Sequence, residues 1–238
     1  MQTLTRRQSL QQLSSALLAT TLAVSLAACG GGSDSPGPMM AVQADGRSNF
    51  DAAAVQNTLA TYALQPVSAA EAQGLAFMRE EEMLAQAVYL SSAQRWPATV
   101  VFANIAASEA THTAAVKALL DRYGLPDPLA GLPTGTLASP AFLGLQAALV
   151  AASATSLVDA LKVGVQIEEL DLSDIAARQV AVDNDDILLV YDNLSRGSRN
   201  HLRAFMRQLV QLGGSYTPQY LSQAAFNAIV NSPMENGR

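Results

Sequence analysis

The chain has 238 residues and a formal net charge of −6, with 14 basic and 20 acidic residues. This acidic balance argues against a nucleic-acid partner, because phosphate binding needs a basic face. Half of the residues are hydrophobic but only 5% are aromatic, a composition that favours helices over sheets. A single cysteine excludes an internal disulfide.

The first 28 residues have the pattern of an export signal. Arg6 and Arg7 precede an apolar run from Leu13 to Ala28, which contains no charged residue and is short for a membrane-spanning helix. The run ends in Leu26-Ala27-Ala28-Cys29, which resembles a bacterial lipobox, in which the cysteine thiol is acylated. We therefore expect a lipoprotein signal peptide over 1–28 and a lipid on Cys29. The alternative is an ordinary signal peptide that is cut near Ala28.

The predicted lipid implies a location and a tether. Acyl chains on Cys29 would hold the protein on a membrane. Gly30, where aspartate would retain a lipoprotein at the inner membrane, predicts the outer membrane of a bacterial envelope, facing the periplasm. Residues 29–65, rich in Gly, Ser and Pro at their start, are interpreted as a flexible tether. The helical domain is then expected over 66–238.

Capping and stop signals divide this domain into helices. Ser68 and Glu71 fit a capping box that opens the first long helix, and Gly124 is a typical stop for the second. No stretch alternates strictly enough to predict a strand. A tail over 215–229 is apolar enough to pack against the helices. The predicted helices are 68–93, 100–123, 141–152, 157–180 and 185–212.

Four of these helices are long, and a long connection separates the second long helix from the third. This pattern predicts an all-α fold, a ferritin-like four-helix bundle with one crossover and a C-terminal helical tail. The alternative is an up-down bundle with decorated loops.

Polar side chains inside the apolar stripes of these helices are the candidate functional residues, because a bundle buries such stripes. Glu81 competes with Glu82 for the inward position, and Glu169 and Asp171 flank Glu168. The residues that fall within the stripes are Glu82, Glu109, His112, Glu168 and His201.

Several buried carboxylates must be protonated, hydrogen-bonded or bound to metal. Glu109 and His112 are three residues apart and project from one side of a helix. Carboxylate with imidazole is a ligand set for iron, manganese or zinc, so the pattern predicts a site for one or two such ions. The alternative is a metal-free polar cluster, whose ion pairs fix the helix register.

Five segments of the chain resemble the domain-of-unknown-function family 2202 of the ferritin-like superfamily. The resemblance covers about residues 68–229, nearly the whole predicted domain. The segments are 77–85, 101–112, 122–125, 163–171 and 193–205.

The resemblance implies a metal pattern. Glu82 corresponds to the first-helix glutamate of the superfamily, Glu109 and His112 to the second-helix pair, and Glu168 to the third-helix glutamate. Tyr89 corresponds to the tyrosine that ferritins have beside their iron site. Ser198, three residues before His201, stands where the superfamily has a bridging glutamate, and Asp171 is the candidate replacement.

The expected function is therefore an envelope-anchored protein that binds transition metal inside the bundle, with no activity assigned. The alternative is a non-enzymatic structural or interaction lipoprotein with a metal-free polar core. A hydrolase is disfavoured, because the sequence has neither a nucleophile elbow nor a His-Glu-x-x-His motif.

Overall fold

The computed structural model describes residues 38–236, and within this range the chain forms seven helices and one two-stranded sheet. The all-α prediction is confirmed at this level. The strands are β1 (Met40–Val42) and β2 (Ser48–Phe50). The helices are α1 (Ala52–Leu59), α2 (Ala69–Arg95), α3 (Val101–Arg122), α4 (Pro140–Ser153), α5 (Leu157–Gln179), α6 (Asp185–Gln211) and α7 (Gln223–Val230). The predicted signal peptide and Cys29 lie outside the described residues.

The main correction concerns the predicted tether. Residues 40–59 hold an antiparallel hairpin and α1, although the sequence pattern predicted neither. The turn spans residues 43–46, closed by a hydrogen bond from the N–H of Gly46 to the carbonyl of Gln43, and Gly46 adopts φ +99°, a conformation that glycine tolerates. A Cβ on Gly46 would lie 2.5 Å from Cβ of Ala204 in α6. The hairpin therefore packs against the helices.

Burial explains why this segment is ordered. Met39 and Met40 are almost fully buried, as is Phe50, and burying large apolar side chains offsets the entropy of fixing the chain. Asp51 accepts a hydrogen bond from the backbone N–H of Ala54 at 2.7 Å and caps α1.

The long helices follow their sequence signals closely. The predicted capping box opens α2, since Ser68 accepts from the N–H of Glu71 and Glu71 accepts from the N–H of Ser68. Gly124 follows α3 with φ +63°, in the left-handed conformation expected after a helix end. Each predicted helix boundary lies within two residues of the observed one.

The four long helices pack side by side and share one interior. α2 packs along α3 and α5 along α6, while α2 also contacts α5 and α3 also contacts α6. α4 lies against α2 and α5, and α7 lies against α6 with Phe226 buried. Two hydrophobic clusters fill the interior, one around Tyr89, Phe102 and Phe205 and the other around Met78 and Leu119.

Candidate metal centre

Five of the predicted ligands come from the four long helices and meet in one buried cluster. Helical spacing turns Glu109 and His112 to the same side of α3, and α2, α5 and α6 each supply one more side chain. None of the five is more than 2% exposed. The cluster consists of Glu82, Glu109, His112, Glu168 and His201.

Glu109 lies between the two histidines. Its Oε2 is 2.9 Å from Nδ1 of His112, and its Oε1 is 2.8 Å from Nδ1 of His201. Oε2 of Glu82 lies 3.4 Å from Nδ1 of His112, and Oε2 of Glu168 lies 3.4 Å from Nδ1 of His201. Each histidine therefore faces its own outer carboxylate and shares Glu109.

The opposite edges of both imidazoles contact one residue of β2. The carbonyl oxygen of Ser48 lies 2.7 Å from Nε2 of His112, and its Oγ lies 2.7 Å from Nε2 of His201. Because a carbonyl oxygen only accepts, Nε2 of His112 carries a proton. The backbone N–H of Ser48 donates to Oγ of Ser108 at 3.0 Å and fixes the strand. In metal sites, a hydrogen bond to one ring nitrogen of a histidine orients the ring and leaves the other nitrogen free to bind the ion. Here the contacts with Ser48 leave the two Nδ1 atoms for that role.

Gly197 of α6 permits this close contact. A Cβ at Gly197 would lie 2.5 Å from Cε1 of His112 and 2.9 Å from Oγ of Ser48. The ring of Phe50 also meets His112 edge to face, with ring centroids 5.4 Å apart. The hairpin thus packs directly on the histidines and covers the cluster.

Burial and charge shift the pKa values of these groups in opposite directions. Burial raises the pKa of Glu82 to about 8 and that of Glu168 to about 7. Burial also acts to raise the pKa of Glu109, but the charges of His201 and His112 outweigh it and hold this pKa well below its usual range. Burial acts to lower the pKa of His201, yet the charges of Glu109 and Glu168 raise it to about 9. The charge of Glu109 likewise raises the pKa of His112 above its usual value, against the effect of burial. Without metal, both imidazoles therefore favour the charged form beside an ionised Glu109.

Some atoms of the cluster lack the hydrogen bonds expected of buried polar groups. Within residues 38–236, Oε1 of Glu82 has no hydrogen-bond partner, and the Nδ1 atoms of His112 and His201 lie 2.9 and 2.8 Å from Glu109 without the angles of a hydrogen bond. Unpartnered buried groups of this kind are costly. One ligand atom from each of Glu109, His112 and His201 lies within 4.8 Å of the others. Since carboxylate and imidazole are the ligands of iron, manganese and zinc, the residues fit a metal ion.

Two residues that the resemblance singled out lie beside the cluster. Tyr89 donates from its hydroxyl to Oε1 of Glu168 at 2.6 Å. Ser198, at the position where the resemblance implied a bridging glutamate, donates from its hydroxyl to Oδ2 of Asp171 in α5. Glu81 is also buried, at 2% exposure, but neither Glu81 nor Asp171 joins the three-residue group of converging ligand atoms.

Glu169 does not face the cluster, in contrast to its prediction as a possible ligand. Its carboxylate accepts from the hydroxyl of Tyr216 at 2.8 Å and from three backbone N–H groups, those of Gln219, Tyr220 and Leu221. These four hydrogen bonds fasten the segment that leads to α7. The role of Glu169 is therefore structural.

Sequence reasoning missed Ser48, because it lies in the predicted tether. A signal was present, since Asp45 and Gly46 form the dipeptide most typical of a tight hairpin. Met40 and Val42 before the turn and Phe50 after it supply the apolar positions of the strands. Nothing in the local sequence indicates that Ser48 would reach the histidines.

The site and fold can now be compared with known proteins. The chain belongs to the family described as uncharacterized protein domain DUF2202, whose model matches residues 71–233. One relative is the uncharacterized protein MJ0754 of Methanocaldococcus jannaschii, which is 47% identical over 173 residues, 73% of this chain and 93% of the relative. The crystal structure of hypothetical protein MJ0754 is similar with a TM-score of 0.71 and covers 73% of this chain and 98% of that chain.

The comparison corrects the predicted location. The sequence predicted an outer membrane facing a periplasm, but a relative of 47% identity comes from an archaeon, and archaea have no outer membrane. The predicted location in a bacterial outer membrane is at odds with this finding and is wrong. The predicted lipid on Cys29 lies outside the described residues and stays a prediction. In the part of the chain that the structure describes, no helix is both long and apolar enough to cross a membrane.

Proposed function

We propose that this protein binds a pair of transition-metal ions, iron, manganese or zinc, inside a ferritin-like four-helix bundle. The observation that carries the proposal is the position of Glu109, whose two oxygens each face Nδ1 of a different histidine. One carboxylate between two imidazoles is suited to bridge two ions.

The ligands divide into two matching sets. Glu82 and His112 lie at one oxygen of Glu109, and Glu168 and His201 lie at the other. Ser48 binds Nε2 of both histidines and so leaves both Nδ1 atoms directed at the carboxylates. This symmetry favours two ions over one.

The helix packing supports the ferritin-like part of the proposal. α2 with α3 and α5 with α6 form the two closest pairs, and the chain between the pairs, residues 123–156, is long enough to include α4. Such a crossover distinguishes ferritin-like bundles from simple up-down bundles.

Ser198 stands where the ferritin-like superfamily has a bridging glutamate, and this difference limits the chemistry that we propose. Bound iron or manganese would supply redox chemistry and bound zinc a Lewis acid. Because α6 offers a hydroxyl where the superfamily has a bridging carboxylate, Glu109 is the bridging group in our proposal. Metal binding for storage or sequestration is therefore the function proposed, without a defined reaction.

Metal content of the purified protein tests this proposal. Metal-free protein is incubated with iron(II), manganese(II) or zinc(II) in turn, dialysed, and measured by inductively coupled plasma mass spectrometry. We expect about two ions per chain for the preferred metal. His112→Ala and His201→Ala should each lose at least one ion, because each removes the histidine of one ligand set.

A neighbouring pair of glutamates provides the matched control. Glu168→Gln should reduce the metal content, whereas Glu169→Gln should not, because Glu169 binds the C-terminal segment instead. Wild-type protein that retains none of the three metals would contradict the proposal and would favour a polar core whose ion pairs are structural.

A further inference from the structure

The part of the hairpin that lies over the histidines, residues 41–49, is anchored at both ends by apolar side chains. Met40 before it and Phe50 after it are buried in the hydrophobic interior. Between these anchors only Gly46 and Ser48 are buried, and the other seven residues are partly or fully exposed. We call residues 41–49 the flap. Because no large apolar side chain of the flap is buried, lifting it exposes little hydrophobic surface.

The outer part of the flap is held against the helices by hydrogen bonds that are exposed to solvent. The side-chain amide of Asn104 in α3 donates to Oδ2 of Asp45 at 3.2 Å. Arg207 in α6 donates to the carbonyl oxygen of Ala44 at 3.3 Å. Water can replace exposed hydrogen bonds at little net cost. Local opening is easiest where buried apolar contacts are few and hydrogen bonds are exposed, and the flap has both properties.

A surface pocket lies beside the turn of the flap, between the start of α3 and the C-terminal part of α6. Its volume is about 340 Å³. Gly46 of the flap covers Ala204, which lies three residues after His201 in α6. The space beside the turn therefore reaches the helix surface next to a proposed ligand, and it leaves room for the flap to move. The residues that line the pocket include Asp45, Asn104, Ala204 and Arg207.

The inner side of the flap covers the ligand set. Ser48 contacts Nε2 of both His112 and His201, whose rings are stacked with centroids 5.2 Å apart. The helices that carry the ligands, α2, α3, α5 and α6, surround the cluster. Since none of the five proposed ligands is more than 2% exposed, an ion needs an opening to reach them. Lifting Ser48 would uncover the edges of both rings without moving a helix.

We propose that the flap is the gate through which a divalent transition-metal cation enters the buried centre. This inference rests on the proposed metal function. The flap swings outward about its anchors Met40 and Phe50, Ser48 leaves both imidazoles, and the freed rings turn so that the ion passes to Glu109. When the flap closes, Ser48 again fixes the rings with their Nδ1 atoms directed at Glu109.

A reversible cross-link tests whether the flap must move. Asp45→Cys and Asn104→Cys place one thiol on the flap and one on α3, and Cys29→Ser removes the native thiol. Full-length metal-free protein is cross-linked with a bis-maleimide whose linker contains a cleavable disulfide. Cobalt(II) uptake is followed by stopped-flow visible absorbance, and bound cobalt is measured after dialysis. The cross-link should slow uptake by about tenfold or more, leave the final amount unchanged, and lose its effect when the linker is reduced.

The matched control cross-links two thiols away from the flap. Gln223→Cys and Asn227→Cys lie in α7, where the native side chains are exposed and 2.8 Å apart. This cross-link, made in the same Cys29→Ser background, should leave the rate of cobalt uptake unchanged.

Amide hydrogen exchange tests the opening of the flap without metal. In the metal-free wild-type protein, the amides of residues 41–49 should exchange faster than those of residues 105–116 in α3, because the flap opens locally. The cross-link between the flap and α3 should slow this exchange. Flap amides that are as strongly protected as those of α3 would show that the flap does not open, and would overturn the gate.

The other results of the cobalt experiment also have defined meanings. If the protein with the flap cross-link loads as fast as the wild-type protein, or if reduction of the linker does not restore the rate, the gate is wrong while the metal centre stands. A lower final amount of cobalt would show that the flap holds the bound ion instead of admitting it, which also overturns the gate. If the wild-type protein binds no cobalt and none of the other metals, the metal function itself fails, and the gate fails with it.

Discussion

The hydroxyl of Ser48 lies 2.7 Å from Nε2 of His201, although the two residues are 153 positions apart in the chain. Through its carbonyl oxygen the same serine also contacts Nε2 of His112, at 2.7 Å. One residue of the hairpin thus orients both histidines, and their Nδ1 atoms turn toward Glu109.

Replacement of Ser48 by alanine should weaken metal binding. Ser48→Ala keeps the carbonyl contact with His112 but removes the hydroxyl contact with His201, so the ring of His201 loses its orienting partner. Loss of such a contact lowers metal affinity by about 10- to 100-fold. Competition titration of cobalt(II) against a chelator measures the change.

A buried serine outside the centre controls this experiment. Ser92 is 1% exposed, and its hydroxyl has no hydrogen-bond partner among the described residues, so Ser92→Ala should leave cobalt affinity unchanged. Equal affinities for Ser48→Ala and the wild-type protein would show that the hairpin does not orient the ligands.

Replacement of Gly197 by alanine should destabilise the protein. The new Cβ would lie 2.5 Å from Cε1 of His112 and 2.9 Å from Oγ of Ser48, and overpacking of this kind costs about 1–3 kcal/mol. Urea denaturation measures the free energy of unfolding. Gly144→Ala, in α4, is the control, because its Cβ would meet no atom within 4 Å and should stabilise the helix by about 0.5–1 kcal/mol.

The metal-free protein should lose stability as the pH rises from about 7 to 9. The pKa of His201 rises from 6.5 to about 9 in the folded state, and that of Glu82 rises from 4.5 to about 8. Groups with a raised pKa hold their protons more tightly when folded, so their contribution is full at low pH and is lost as the pH passes the folded value. The low pKa of Glu109 keeps this residue ionised throughout the range.

Urea denaturation in the presence of a chelator measures this pH dependence. Glu82→Gln should flatten the decline, because the amide does not titrate. A free energy of unfolding that stays constant or increases between about pH 7 and 9 would contradict the described charge arrangement.

Replacement of Glu169 by glutamine should release the segment before α7. The carboxylate accepts four hydrogen bonds from this segment, including those from the Tyr216 hydroxyl and the Leu221 N–H. We expect a loss of about 1–3 kcal/mol and faster amide hydrogen exchange at residues 216–230, measured by mass spectrometry. Unchanged exchange in this segment would show that Glu169 does not fasten it.

The helices could be predicted because their signals are local. The capping box at Ser68 and the left-handed glycine at Gly124 act within one helical turn. The short strands escaped prediction because three residues cannot establish an alternating pattern. These strands are held in place because Met40 and Phe50 are buried against helices that are distant in sequence.

The candidate ligands could also be predicted, since helical periodicity identifies which polar side chains face inward. The spacing of hydrophobic residues does not decide which of two adjacent polar residues faces the site, however. Glu168 and Glu169 are both buried. Only the tertiary structure shows that the first contacts His201 and the second binds the C-terminal segment.

Anomalous diffraction from crystals grown with zinc(II) or manganese(II) tests the metal centre most directly. We expect two anomalous peaks, one between Glu109 and His112 and the other between Glu109 and His201, each within about 2–2.3 Å of its Nδ1 ligand. The absence of both peaks, with the two Nδ1 atoms still in contact with Glu109 at full metal concentration, would contradict the proposed metal centre.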